Sequence, residues 1–167
     1  MKKTKAVAFW PVLISLVAVD CATKQLAVDK LTPAHLPHRV VGDILRLTLA
    51  YNPDAAMGLS AGGHSRIAFS VIAAVMLCGL GLYRRRIAGD GRTAAIALAL
   101  IGGGAAGNLI DRLRSSRGVV DFIDIGFGAA RFWTFNVADA GVFCGALLLV
   151  LALSRSEHVV RDAVPPS

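Results

Sequence analysis

Asp121 and Asp139 are carboxylates in apolar company. Asp121 lies between Val120 and Phe122, and Asp139 between Ala138 and Ala140. The apolar flanks of Asp121 strip hydration from its carboxylate and would raise its pKa. Two such groups held within a few ångström cannot both ionise easily, so one keeps its proton and their apparent pKa values separate. A pair of this kind can hydrolyse an amide without a metal and without a covalent intermediate. The ionised member takes a proton from water, and the protonated member polarises the carbonyl and later donates to the leaving nitrogen. Little else competes for the role. His35, His38 and His64 have no suitably placed cysteine, and HExxH does not occur. Cys21, Cys78 and Cys144 offer no disulfide framework and no metal-ligand spacing, and read as small buried hydrophobes. No metal and no cofactor is expected.

The elements that must position these acids are apolar helices. Of the 167 residues, 55% are apolar and only 17% charged, and the mean hydropathy is +0.61. A soluble domain carries roughly 25% charged residues. Four apolar segments stand out, roughly 6–28, 67–83, 94–110 and 136–153. At ~1.5 Å per residue each can cross a hydrocarbon core of ~30 Å, the middle two near the short limit. No alternating ten-residue pattern suggests a barrel, so the spanning elements are helices. The expected fold is a single α-helical membrane domain over 1–167 with four transmembrane helices, joined by long connections at 29–66 and 111–135.

Charge sets the orientation. Lys2, Lys3 and Lys5 precede the first segment, Arg84, Arg85, Arg86 and Arg92 join the second to the third, and Arg155 and Arg161 follow the fourth. The two long connections are more sparsely basic. The positive-inside rule then places both termini in the cytoplasm and the long connections outside, as in a multi-pass protein of a bacterial inner membrane. The net charge of +7 is a topology signal, not a nucleic-acid surface, because the basic residues lie between apolar runs. The basic start and apolar run could be a removable signal, but Asp20 stands beside Cys21 and no A-x-A-like site follows. A retained first helix is the better reading.

Eight of the eleven acidic residues fall in the spans or on the external side: Asp20, Asp29, Asp43, Asp54, Asp111, Asp121, Asp124 and Asp139. A carboxylate at a span edge is costly and has a partner or a task. Asp20 and Lys24 are four apart on one helix face. They form either an ion pair that offsets its own cost or a brace for the external loops around a site. The third span ends GGGAAGNLIDR at 102–112. Gly103 and Gly107 make a GxxxG pair, which lets helices approach closely, and Gly104, Asn108 and Arg112 share a face. Asp111 and Arg112 supply a charge pair at the membrane boundary. Asp124 opens a glycine-containing turn and could be solvated. Asn136 is placed to cap the fourth helix, with Asp139 in its first turn, where the helix dipole favours negative charge. Residues 40–51 are rich in strand formers with a partial period of two and end at Asn52-Pro53, a turn signal. A small sheet at the membrane surface is expected there.

The blocks at 102–112, 119–124 (VVDFID) and 135–139 (FNVAD), in this order on a four-span chain, resemble the signature blocks of the lipoprotein signal peptidase family. Asp20 and Lys24 match that family's first-helix motif. The resemblance implies an aspartyl membrane peptidase that cuts signal peptides before a diacylglyceryl-modified cysteine and is inhibited by globomycin. Asp121 and Asp139 would be its catalytic dyad. Asn52, Asn108, Arg112 and Asn136 would support the dyad or bind substrate, with Gly104, Asp20 and Lys24 in supporting positions. A small extracytoplasmic sheet and a short helix would cover the site. The partners implied are a diacylglyceryl-modified prolipoprotein and membrane lipid, with no nucleic acid, and the working unit is expected to be a monomer. One block departs from the pattern. Residues 52–57 read NPDAAM where the family has Asn-x-Gly-Ala-Ala-Phe, so Asp54 stands for a glycine and Met57 for an aromatic. This bears on substrate preference and inhibitor sensitivity. The alternatives are an inactive relative with the same bundle, or a small transporter or assembly protein. A transporter should carry an internal repeat, and the glycine block has no second copy.

Overall fold

The computed structural model describes residues 3–54, 62–87 and 91–162. Four long helices carry the chain: α1 (Lys3–Lys30), α2 (Ser65–Ile87), α3 (Arg92–Arg114) and α4 (Val137–Asp162). Four stretches along them are long and apolar enough to cross a membrane: Phe9–Lys30, Gly62–Leu82 (which starts just ahead of α2), Arg92–Arg114 and Val137–Ser154. Four antiparallel strands complete the fold, β1 (His38–Val41), β2 (Leu45–Asn52), β3 (Val119–Phe127) and β4 (Ala130–Arg131), in the order β1-β2-β3-β4. The four-helix and small-sheet expectation holds. Of the short helix expected over the site, the described residues include a 3-10 turn at Gly62–His64. Ala55, Ala56 and Met57 lie outside the described residues.

The third helix is the hub of the bundle, and its composition explains why. Half of its membrane-spanning window is buried inside the protein, against 6% for α2 and 17% for α1 and α4. Ala94, Ala95, Ala97 and Ala99 let neighbouring helices close in, and the glycines that follow point three ways. A Cβ on Gly102 would come within 2.6 Å of Leu80 on α2, and one on Gly103 within 3.1 Å of the Leu13 carbonyl on α1. A Cβ on Gly104 would run into the Ala138 carbonyl oxygen on α4, and one on Gly107 into the Asp20 carboxylate on α1. So the run is not only a GxxxG ridge for one partner. Consecutive positions on a helix diverge by about 100°, and here each direction holds a different helix.

The α3 helix continues past residue 110 to Arg114, so Asn108, Asp111 and Arg112 all project from regular helix. The expected Asp111–Arg112 pair does not form, because successive side chains on a helix diverge; Asp111 turns to Lys24 instead. Asp124 is also not a solvated turn residue. It is buried within β3, where Arg131 pairs with it at 2.8 Å and Thr48 donates to it at 3.2 Å. Cys78 and Cys144 are not buried either. They face outward on spanning helices, where hydrocarbon would surround them.

The sheet meets the bundle through its inner end. Leu49, Val120 and Phe122 pack with Ala27 and Leu31 at the end of α1. Between α3 and β3 the chain turns at Gly118, with φ of 92° and its Cα against the Asn52 backbone. A side chain there would be strained in φ and would collide with the Asn52 carbonyl. This close passage sets Asn52 opposite Val119 and Ala50 opposite Asp121.

Candidate active site

The site forms where α1, α3, α4 and β3 meet at one end of the bundle. Asn136 begins it. Its Oδ1 accepts the Asp139 backbone N–H at 2.9 Å, and Asp139 Oδ2 accepts the Asn136 backbone N–H at 3.2 Å. This reciprocal capping box starts α4. The backbone N–H of Ala138, which has no intrahelical acceptor, donates to Asp20 Oδ1 of α1 at 2.8 Å. The first turn of α4 is thus capped from within and from the first helix.

The Asn136 side chain is completely buried. Its amide donates to Asp121 Oδ1 at 2.6 Å, to Asn108 Oδ1 at 3.1 Å and to the Val120 carbonyl at 3.3 Å. One residue therefore touches both carboxylates, Asp121 by its side chain and Asp139 by its backbone. Asn52 donates to the other Asp121 oxygen at 3.2 Å. Asn108 donates to Asp139 Oδ1 at 2.7 Å.

Behind these amides lies a buried charge cluster. Lys24 Nζ is 2.8 Å from Asp20 Oδ2, 2.9 Å from Asp111 Oδ2 and 2.8 Å from Asn108 Oδ1. All three ammonium hydrogens can be used, as a buried charge requires. Asp111 Oδ2 also accepts the Val120 backbone N–H at 3.1 Å, tying α3 to β3 beside Asp121. Because Lys24 holds the Asn108 oxygen, the Asn108 N–H must face Asp139. Both readings of Asp20 and Lys24 have a basis here, since the pair is an ion pair and also reaches the residues that hold the acids.

Arg112 is buried in the last turn of α3. It donates to the Asp54 carbonyl at 2.9 Å, lies 5.9 Å from the Phe69 ring centroid and is within electrostatic reach of Asp139 and Asp121. The Asp54 backbone N–H donates to Asn52 Oδ1 at 3.0 Å. Asp54 therefore helps hold both Asn52 and Arg112 through its backbone, a task that does not depend on its side chain. Gly104 faces Ala138, one residue before Asp139, and its missing side chain lets α3 and α4 close at the level of the acids.

Asp121, Asp139, Asn52, Asn108, Arg112, Asn136, Gly104, Asp20 and Lys24 thus converge on one region. Asp111 belongs with them. Its place at a span edge singled it out in sequence, but nothing there tied it to Lys24. Among the described residues no group of three or more His, Cys, Asp or Glu could hold a metal ion. Burial, and next the charge of Asp139, push the Asp121 carboxyl up to about 7; the amides of Asn52 and Asn136 and the charge of Lys24 act against this. Asp121 can therefore hold a proton near neutrality. Asp139 sits half-buried in the first turn of α4. The arrangement can supply one acid and one base.

Comparison with known proteins agrees with this geometry. A family model described as signal peptidase (SPase) II matches residues 12–155. The chain is similar to the lipoprotein signal peptidase of Aeromonas hydrophila, 39% identical over 159 residues that cover 93% of this chain and 92% of the relative. It is 37% identical to that of Geobacter metallireducens over 146 residues, covering 87% and 88% of the two chains. Two solved structures, each described as a bacterial membrane enzyme, share the fold. One has a TM-score of 0.78 and 27% identity over 93% of this chain and 91% of its own. The other has a TM-score of 0.73 and 30% identity, covering 85% and 89%.

Proposed function

This chain belongs to the signal peptidase II family, proteases that remove signal peptides from prolipoproteins, and on that footing we propose that it is an aspartyl endopeptidase cutting immediately before a diacylglyceryl-modified cysteine. The observation that carries the aspartyl mechanism is the double use of Asn136, whose amide meets Asp121 and whose backbone N–H meets Asp139. Asp139 acts as the base. It takes a proton from a water molecule whose oxygen attacks the scissile carbonyl carbon. Asp121 enters protonated and donates to the carbonyl oxygen. As the C–N bond breaks, a proton passes from the acid pair to the leaving nitrogen. Asn52, Asn108, Asn136 and Arg112 hold the acids or bind substrate, and Gly104, Asp20 and Lys24 support them.

A lipid-modified substrate fits the position of the site. The acids stand at the mouth of the bundle, where α3 ends and α4 begins, so a scissile bond anchored to a lipid would reach them at membrane level. A monomer is proposed as the working unit. The test is cleavage of a diacylglyceryl-modified prolipoprotein by the purified protein in detergent. The expected product begins with the modified cysteine, chelators have no effect, and activity per molecule does not change on dilution. An unmodified substrate cut equally well would remove the lipid requirement.

The pH dependence has a definite sign. Activity needs the proton on Asp121, so kcat/KM should be high below pH 7 and fall as the pH rises through about 7. Asn52→Ala removes an N–H that favours the ionised carboxylate. The alkaline limb should then move to higher pH, whatever happens to the maximal rate. A limb that stays in place would take Asn52 out of contact with the acid.

Both termini are proposed to be cytoplasmic, with the acids near the outer leaflet. The support is the arginine run at Arg84, Arg85, Arg86 and Arg92. With Cys21, Cys78 and Cys144 replaced by alanine, Gly89→Cys should resist a membrane-impermeant thiol reagent in intact cells. Labelling there would reverse the topology.

A further inference from the structure

A groove opens between α2 and α3. Met76, Gly79 and Leu80 form its α2 wall, and Ile101, Gly102 and Ala105 its α3 floor. Its volume is ≈ 290 Å³. Every residue named is apolar, and the small ones at 79, 102 and 105 leave room that larger side chains would fill. Both helices are here within their membrane-spanning stretches. Among the described elements α2 packs mainly against α3, and Met76 and Gly79 are exposed, so the groove is open sideways to hydrocarbon. At the end farther from the acids Leu80 lies against Gly102. The other end leads to the candidate active site. Residues 101, 105, 108 and 112 follow one another along one face of α3 in steps of three and four. Asn108 donates to Asp139, and Arg112 meets the Phe69 ring of α2. The two helices run antiparallel, so the α2 side of the same cleft passes from Leu80 through Met76 and Ala73 to Phe69. At ~1.5 Å per residue, Ala105 lies about 5 Å and Gly102 about 9 Å from Asn108 along the helix axis.

We propose that this groove takes one acyl chain of the diacylglyceryl group on the substrate's cysteine, an inference that rests on the reading of the protein as a peptidase for lipid-modified substrates. The modified cysteine is the residue just after the scissile bond. With that bond at Asp121 and Asp139, the sulfur-linked glyceryl group starts at the membrane boundary, and its acyl chains must run back into hydrocarbon. The groove begins one helical turn from Asn108 and gives a chain a lined path in that direction. A row of methylenes fits a narrow apolar slot, whereas an α-helix with its side chains is about 10 Å across. A chain that enters from the bilayer leaves one apolar medium for another. The hydrophobic effect therefore contributes little, and close packing against the small residues does the selecting. What the groove supplies is position. A seated chain holds the cysteine beside the acids and shortens the search for a reactive geometry.

The test compares two prolipoprotein peptides that share one signal segment and differ in the acyl chains on the cysteine, palmitoyl against acetyl. The signal segment keeps both in the detergent micelle. The full-length parent should cut the dipalmitoyl peptide with a kcat/KM severalfold above that for the diacetyl peptide. Gly79→Leu fills the groove from a position where a Cβ meets nothing within 4 Å. It should remove most of that preference and leave the rate on the diacetyl peptide near the parent's. Ala105→Leu fills the groove from α3 and should act in the same way. Gly81→Leu, also on α2 and also with nothing within 4 Å, does not line the groove and should keep the preference. No preference in the parent, or one that survives both Gly79→Leu and Ala105→Leu, would overturn the proposal and leave the peptidase reading intact. A parent that cuts neither peptide would overturn that reading and the groove with it. A second arm needs no turnover. In Asp139→Asn, a dipalmitoyl peptide with a photoactivatable diazirine on its acyl chain should crosslink to Met76 or Ile101. Crosslinks spread evenly over the outward faces of all four helices would sink the proposal. So would labelling of the groove by a diazirine-bearing phospholipid that the peptide does not displace, which would make a bilayer lipid the occupant.

Discussion

Asp139→Asn is expected to lower kcat on the order of 10³-fold or more while the protein still inserts and accumulates, and Asp121→Asn is expected to do the same. Each variant removes one proton-transfer group and leaves the other without its complement. Neither should disrupt the bundle, because the asparagine can keep part of the native hydrogen bonding. At position 139 an oxygen can still accept from Asn108 or from the Asn136 backbone. At position 121 the effect on stability even has a favourable direction. The Asp121 carboxyl is raised from 3.8 to about 7. Between those values the folded chain holds a proton that the unfolded chain has lost, so stability falls as pH climbs through that window and stays lower above it. The ionised, buried carboxylate then costs on the order of a few kcal/mol that a neutral asparagine avoids. Part of this is offset by the N–H of the new amide facing Asn52, at about 1 kcal/mol. Thermal unfolding in detergent at pH 8 should find Asp121→Asn at least as stable as the parent. Cleavage of the diacylglyceryl-modified substrate is measured on the same samples. A variant that cuts at the parent rate would end the dyad assignment, and one that is inactive but unfolded would leave the acid's role to Asp139 variants alone.

Lys24→Met is expected to be the most destabilising single change in the bundle. The ammonium faces two carboxylates and an amide oxygen while only 3% exposed. Methionine matches its length but leaves the buried Asp20 and the half-buried Asp111 without a cation. Removing one member of a buried ion cluster costs roughly 3–5 kcal/mol. A chain with ordinary marginal stability, about 5–15 kcal/mol, would lose much of it. The expected readout is a lower unfolding temperature in detergent and reduced accumulation in cells. A second change makes the argument specific. Asp111→Asn in the Lys24→Met background removes one stranded charge, so the double variant should be more stable than the two separate losses predict. Additive losses would mean that Lys24 and Asp111 do not act on each other. Activity should suffer as well, since Asn108 would no longer be held with its N–H toward Asp139.

The spans were readable because hydrophobic length is a local property, and the capping role of Asn136 was readable because its partner is three residues away. What could not be read lies between elements. The link from Lys24 to Asn108 joins positions 84 apart, and no spacing rule carries it. Asp111 beside Arg112 suggests a pair only when the chain is read as a line; on a helix the two diverge. The central strand escaped because Asp121 and Asp124 are three apart and so fall on opposite faces of it, breaking the period of two. Both are buried and both are matched, one by amides and the other by an arginine, which is visible only once β2 and β4 flank β3. The three consecutive glycines signalled close packing, but not that three different helices would each claim one.

The double contact of Asp20, with Lys24 on its own helix and with the Ala138 N–H on α4, has a consequence for biosynthesis. The first helix leaves the ribosome long before the fourth exists. During that interval its carboxylate has no distant N–H donor to accept from, and a lone ion in the bilayer would resist insertion. A lysine one turn away is available at once, so the newborn segment can enter lipid as a self-neutralised unit. Only when the last helix arrives does the same carboxylate close its remaining bond, and only then are Asp121 and Asp139 brought together. On the proposed aspartyl mechanism, hydrolysis would have to wait until α4 is in place.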